Sequence, residues 1–285
     1  MFPEISATVT NTNDMNNKQT LILDLEIYRD YFLAMFRNVD TGNVRAFELY
    51  DGQAFDVATV RAILKKYRLV TFNGLNFDMP LLMLALRGAD NALIKKGSDS
   101  IILNNLRGWQ FEQQFNVEVP KTLDHIDLIE VAPGTASLKI YGGRLHSPKL
   151  QDLPIEPDAS ISEADRELLR TYCANDLATT ADLYRKLLPQ IELREQMSAQ
   201  YGIDLRSKSD AQIAEAVIGR QVGQAIGREI KRPEVPGGTV FKYRPPEFIQ
   251  FSTQALRDTL AMIRGAEFLV PDSGKVMMPK ELADL

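Results

Sequence analysis

Cysteine and histidine are nearly missing from this chain, which has one cysteine, Cys173, and two histidines in 285 residues. A lone cysteine cannot close an internal disulfide, and so few histidines leave a Cys/His zinc site without ligands. A reducing, cytoplasmic setting is the expectation. No apolar run approaches the ~18 residues that suggest a membrane-spanning helix, so no membrane partner is expected. The start of the chain lacks the basic-then-apolar order of a signal peptide. An excess of positive charge is also missing, with 33 Lys+Arg against 38 Asp+Glu and a net charge of −5. That balance counts mildly against nucleic acid as a partner. It does not count against a site built on bound cations, which gathers acids in one place and reverses their sign locally. The charge is uneven. Arg206, Lys208, Arg220, Arg228, Lys231, Arg232, Lys242 and Arg244 face four acids between residues 205 and 244. Such a stretch suits either a phosphate backbone or a solvated helix face.

What is present is an ordinary globular composition, 45% hydrophobic and 25% charged. Residues 1–19 include the Asn-rich, aperiodic ATVTNTNDMNNKQ and are expected to be a disordered tail. Strands are expected at Thr20–Leu25, Tyr31–Arg37, Val44–Leu49, Leu69–Phe72 and His125–Ile129, with a turn at Asp40-Thr-Gly-Asn43. Helical spacing covers Asp56–Tyr67, a stretch opened by Pro80 and running to about Ile94, and Ser98–Phe115. Ser160-Ile-Ser-Glu163 resembles a capping box, predicting a long helix to about Leu188. This order gives an α/β domain over 20–190, a mixed sheet with helices on its faces. Residues 191–285 read as a smaller, mostly helical extension. There Gly219, Gly223 and Gly227 stand four apart, as for tight helix packing, Pro233–Pro246 reads as a loop, and Leu269–Met278 as a hairpin around Asp272-Ser-Gly. The closing Lys280-Glu-Leu-Ala-Asp-Leu285 reads as the start of a helix in a longer polypeptide.

Three short segments carry candidate chemistry. In Leu21-Ile-Leu-Asp-Leu-Glu26 the period of a strand puts Asp24 and Glu26 on one face, where two carboxylates repel unless cations lie between them. An exposed strand end gives the same pattern. In Thr71-Phe-Asn-Gly-Leu-Asn-Phe-Asp78 a strand enters a glycine turn just before a helix. Asp78 there reads as a ligand or as a helix cap, and Asn73 as a turn residue or a substrate contact. In Tyr172-Cys-Ala-Asn-Asp176 the tyrosine and aspartate share a helix face.

Taken in order, D-x-E, N-x-x-x-F-D and Y-x-x-x-D resemble the three exonuclease motifs of the DEDD superfamily. Tyr172, four residues before Asp176, places the resemblance in its tyrosine branch. The resemblance covers about residues 20–190. It implies a ribonuclease-H-like fold and 3′–5′ exonuclease activity with two Mg²⁺ or Mn²⁺ ions. By resemblance Asp24, Glu26 and Asp176 would hold one ion and Asp24 and Asp78 the other, with Tyr172 orienting the attacking water and Asn73 and Phe77 contacting substrate. It also implies a lysine between the second and third motifs that steadies transition-state charge. Ser137-Leu-Lys139 and Lys149 fall there, and Lys149 is the choice. Asp127 reads as structural, and Trp109, the only tryptophan, as core.

The chain as a whole resembles the N-terminal exonuclease region of bacteriophage-type DNA polymerases. The implied partners are single-stranded DNA 3′ ends or primer–template DNA, with a polymerase region or other replication proteins, in the host cytoplasm if phage-encoded. Polymerase motifs of the forms D-x-x-S-L-Y-P and Y-x-D-T-D are missing, so polymerisation by this chain is not expected. Two alternatives remain open: an exoribonuclease of the same branch, and a non-catalytic nucleic-acid-binding module.

Overall fold

The structure is a computed structural model that describes residues 18–134, 136–149, 151–230, 235–271 and 276–283. Most of the expected N-terminal tail lies outside the described residues. Gln19 is already ordered, its carbonyl accepting from the Arg68 amide.

Five strands form one sheet in the order β3-β2-β1-β4-β5. They are β1 (Thr20–Ile27), β2 (Phe32–Asn38), β3 (Val44–Leu49), β4 (Arg68–Thr71) and β5 (His125–Asp127). The first three form an antiparallel meander, with Asp24 opposite Met35 and Glu26 opposite Leu33. Strands β4 and β5 join parallel to β1, so the sheet is mixed. Parallel joins need crossovers, and helices supply them. On one face lie α1 (Val57–Lys66), α2 (Asp78–Leu86), α3 (Asn91–Ile102) and α4 (Gly108–Phe115); on the other lie α5 (Leu138–Arg144) and α6 (Glu163–Tyr201). Alternation along β1 divides the core. Leu21, Leu23 and Leu25 pack with the α1–α4 layer, whereas Ile22 packs with the α5–α6 layer. Asp24 and Glu26 share the parity of Ile22 and therefore face α6.

Several helix boundaries differ from expectation. The helix expected to run from Pro80 to Ile94 is two helices. It stops at Leu86 because Gly88 adopts φ +86, and Asp90 caps the next helix by accepting from the Leu93 amide. The stretch expected as one helix over Ser98–Phe115 breaks after Ile102 and resumes at Gly108. The cap of α6 is Ser162, paired reciprocally with Asp165, not Ser160 with Glu163. That helix runs 39 residues, through Pro189, to a left-handed Gly202, well past Leu188.

The chain divides into two compact units, Met1–Ile218 and Gly219–Leu285. Helix α7 (Asp210–Ile226) spans that division. Among the described residues its glycines do not form a packing face: a side chain at Gly219 would meet none of them within 4 Å, Gly223 abuts the Arg228 carbonyl, and Gly227 at φ +72 lies just past the helix end. The second unit contains β6 (Thr239–Phe241), α8 (Gln254–Gly265), β7 (Phe268–Val270) and a short 3-10 turn at Lys280–Leu282. Strand β6, inside the segment expected to be a loop, pairs antiparallel with β7, and Phe241 stacks on Phe268. The turn of the expected hairpin lies outside the described residues; its sides meet where Met277 donates to Leu269. No described helix is long and apolar enough to cross a membrane.

Candidate active site

The three segments converge. Asp24 and Glu26 lie near the end of β1, Asp78 opens α2, and Tyr172 and Asp176 are one turn apart on α6. Glu26 and Asp78 are almost fully buried, at 7% and 4% exposure, and Asp24 and Asp176 are half-buried. Burial and then the charge of Asp176 push the Asp24 carboxyl up to about 7. Glu26 is raised well above the usual carboxylate range by burial, then by Asp24, Asp176 and Asp78. Asp78 is raised by burial, Asp24 and Asp127, and Asp176 by burial. Each acid is thus desolvated and all four are linked by repulsion, Asp176 acting on Asp24 and Glu26, and Asp24 on Glu26 and Asp78, which disfavours their full ionisation.

The Tyr172 hydroxyl is hydrogen-bonded to Asp176, and burial beside three acids holds the phenol strongly protonated, so it is a donor. Cys173 is completely buried next to Tyr172, and its thiol donates to Asp24 Oδ2 at 3.5 Å. Burial and the neighbouring acids push the thiol well up, so it stays neutral. Ligand atoms of Asp24, Glu26 and Cys173 lie within 4.8 Å of one another. That group holds two carboxylates and a neutral thiol, with Asp78 and Asp176 outside it; the carboxylates are the oxygen donors that could hold a hard divalent cation, which would relieve their repulsion.

The loop that delivers Asp78 is tightly specified. Asn73 takes φ +66, and a β-carbon at Gly74 would lie 2.1 Å from Thr71 Oγ1, so only glycine fits there. Asp127 fastens the loop from β5, its carboxylate accepting from the amides of Asn73, at 2.7 Å, and Leu75, at 2.9 Å, as well as from Ile129. The Asp127 amide in turn donates to Ser207 Oγ. Ser207 is held by its neighbour Arg206, whose buried guanidinium pairs with Asp124, as does Arg68. Asn73 and Phe77 are half-buried on the loop itself.

Two residues fall elsewhere than the sequence suggests. Lys149 is exposed, and no described interaction ties it to the cluster. The lysine whose charge reaches Asp176 is Lys139, at the start of α5, which also pairs with Asp152 at 3.0 Å. Trp109 is 63% exposed rather than core. Sequence reasoning also passed over Cys173, although a residue three before Asp176 on a helix must share its face. Comparison with family models, curated proteins and solved structures returns no match.

Proposed function

We propose that this protein is a metal-dependent 3′–5′ exonuclease of the DEDD tyrosine branch, with a ribonuclease-H-like fold, acting on DNA 3′ ends in the manner of a proofreading domain. The observation that carries the reading is the convergence of four carboxylates from three separated segments, desolvated and mutually repelling, with a protonated tyrosine bonded to one of them. A merely structural role would pair such acids with arginine or lysine, as Asp124 is paired elsewhere in this chain. Two Mg²⁺ or Mn²⁺ ions held by Asp24, Glu26, Asp78 and Asp176 would supply activation of water and stabilisation of the departing 3′ oxygen.

The remaining residues have work of their own. Asp78 lies in the first turn of α2, whose N-terminus offsets part of the burial and repulsion that raise its carboxyl. Tyr172 gives its one proton to Asp176, which leaves the phenol oxygen free to accept from a water and orient it beside the scissile phosphate. Lys139 brings a cation to the same edge, suited to charge that grows on the phosphoryl oxygens. Asn73 and Phe77 lie on the anchored loop, where a terminal nucleotide would be gripped.

The test is digestion of 5′-labelled single-stranded DNA, matched duplex, mismatched duplex and RNA with Mg²⁺, Mn²⁺ or EDTA, beside Asp24→Ala. A ladder shortening from the 3′ end, lost in EDTA and in the variant, supports the reading. Digestion of RNA alone would transfer it to an exoribonuclease. A folded protein inert with both metals would sink it.

A further inference from the structure

Beside the carboxylate cluster lies a separate cleft of about 380 Å³, a volume suited to a small ligand. Its walls include Leu75, Trp109, Lys121, His125, Ser207 and Lys208. Trp109 projects from α4 with most of its surface in solvent. An aromatic ring exposed at the mouth of a cleft offers a face for stacking. Lys121 and Lys208 supply positive charge. The lining also holds two acids: Glu112 accepts from the Val119 amide, and Asp204 is offset by its ion pair with Arg206. His125 bonds Thr71 Oγ1 through Nε2 and presents an uncharged ring, because burial and then Arg206 hold it down at about 4.

The cleft is coupled to the cluster through covalent and hydrogen-bonded neighbours. Leu75 in its wall belongs to the loop that delivers Asp78. Ser207 in its wall holds the Asp127 amide, and the Asp127 charge is felt at Asp78. Asp127 therefore links a wall of the cleft to the cluster. We propose that this cleft is a single-stranded nucleic-acid subsite. It takes an internal base of the strand, stacked on Trp109, with the adjoining phosphates at Lys121 and Lys208, while the 3′ end reaches the carboxylates. The placement of the 3′ end rests on the exonuclease reading; the occupancy of the cleft does not.

Aromatic stacking combined with cations is how single strands are held without reading their sequence. Trp109 is the only tryptophan, so its fluorescence reports this cleft alone. The full chain, kept in EDTA to prevent digestion, is titrated with octathymidylate carrying a fluorescent label, and tryptophan emission and label anisotropy are read together. The expected result is quenching of Trp109 in step with binding. Tripolyphosphate, which has charge but no base, should not reproduce it. Trp109→Ala, at an exposed position, should weaken octathymidylate binding about five-fold or more, the lower end of what base–aromatic stacking contributes, and Lys121→Ala should weaken it and make it less sensitive to salt. Strand binding by anisotropy without a change in Trp109 emission overturns the subsite, as does binding unaltered in Trp109→Ala. Quenching by DNA in a protein that digests nothing with Mg²⁺ or Mn²⁺ supports the subsite and removes the exonuclease reading instead.

Discussion

Replacing Asp24 by asparagine is expected to stabilise the metal-free protein at pH 8 while removing its response to divalent cations. Asp24 would ordinarily titrate at 3.8 and here titrates at about 7. Its pKa is raised on folding, so the native state keeps the proton to higher pH than the unfolded chain does. Stability from that group is therefore fully present below about 3.8, falls as pH rises, and is lost above about 7. At 1.36 kcal/mol per pH unit the full loss is about 4 kcal/mol. Asparagine has no charge to lose. It does bring an amide whose donors must find partners, which costs about 1–3 kcal/mol if they do not. The net gain at pH 8 is then about 1–3 kcal/mol, reinforced because Glu26 also loses a repelling neighbour.

For a unit of this size each kcal/mol moves Tm by roughly 2–4 °C. Differential scanning calorimetry in EDTA at pH 8 and at pH 4 separates the contributions. The variant should melt higher than the parent at pH 8, and the gap should shrink or invert at pH 4. Addition of Mg²⁺ or Mn²⁺ at 100 times the dissociation constant should then stabilise the parent by about 2.7 kcal/mol and the variant far less. Activity and stability would move in opposite directions, the pattern expected of a site whose strain is relieved only by its ligand. The reasoning is refuted if Asp24→Asn melts lower than the parent at pH 8 in EDTA and keeps the full metal-induced shift.

Tyr172→Phe removes the hydrogen bond to Asp176, worth about 1.5–3 kcal/mol of stability, so Tm should fall by several degrees and nuclease activity should fall with it; single-turnover digestion well below the melting transition, beside a melting curve, separates the two effects. Lys139→Ala should slow digestion while Lys149→Ala should not, since only Lys139 reaches Asp176; equal losses in the two would return the role to the neighbourhood rather than to one cation. Asp127→Ala orphans the amides of Asn73, Leu75 and Ile129. At about 1 kcal/mol per bond it should destabilise the first unit by roughly 3 kcal/mol, with loss of metal binding because the loop carrying Asp78 is released; denaturant unfolding and a metal titration read the two effects.

How far the sequence reaches depends on the range of the interaction. Strand parity is local, and it places Asp24 and Glu26 on one face of β1 from the alternation of Leu21, Leu23 and Leu25 alone. The helical repeat likewise puts Tyr172 and Asp176 together. Both relations hold in the structure because neither needs a distant partner. Helix ends were harder. Gly88 and Gly202 end helices through left-handed backbone, whereas Pro189, a residue that usually breaks a helix, sits inside one whose Leu187 and Ile191 are buried against the sheet. Tertiary burial overrode local preference there. Which lysine faces the acids could not be read from spacing, because Lys139 and Lys149 flank the turn that ends α5, and only the docking of that helix against α6 decides between them. Trp109 misleads for the opposite reason. Its neighbour two positions on, Phe111, is fully buried, and the short helix α4 has room for one apolar face. Phe111 takes that face, and the indole is left outside at the mouth of the cleft, where burial gives it no reason to be.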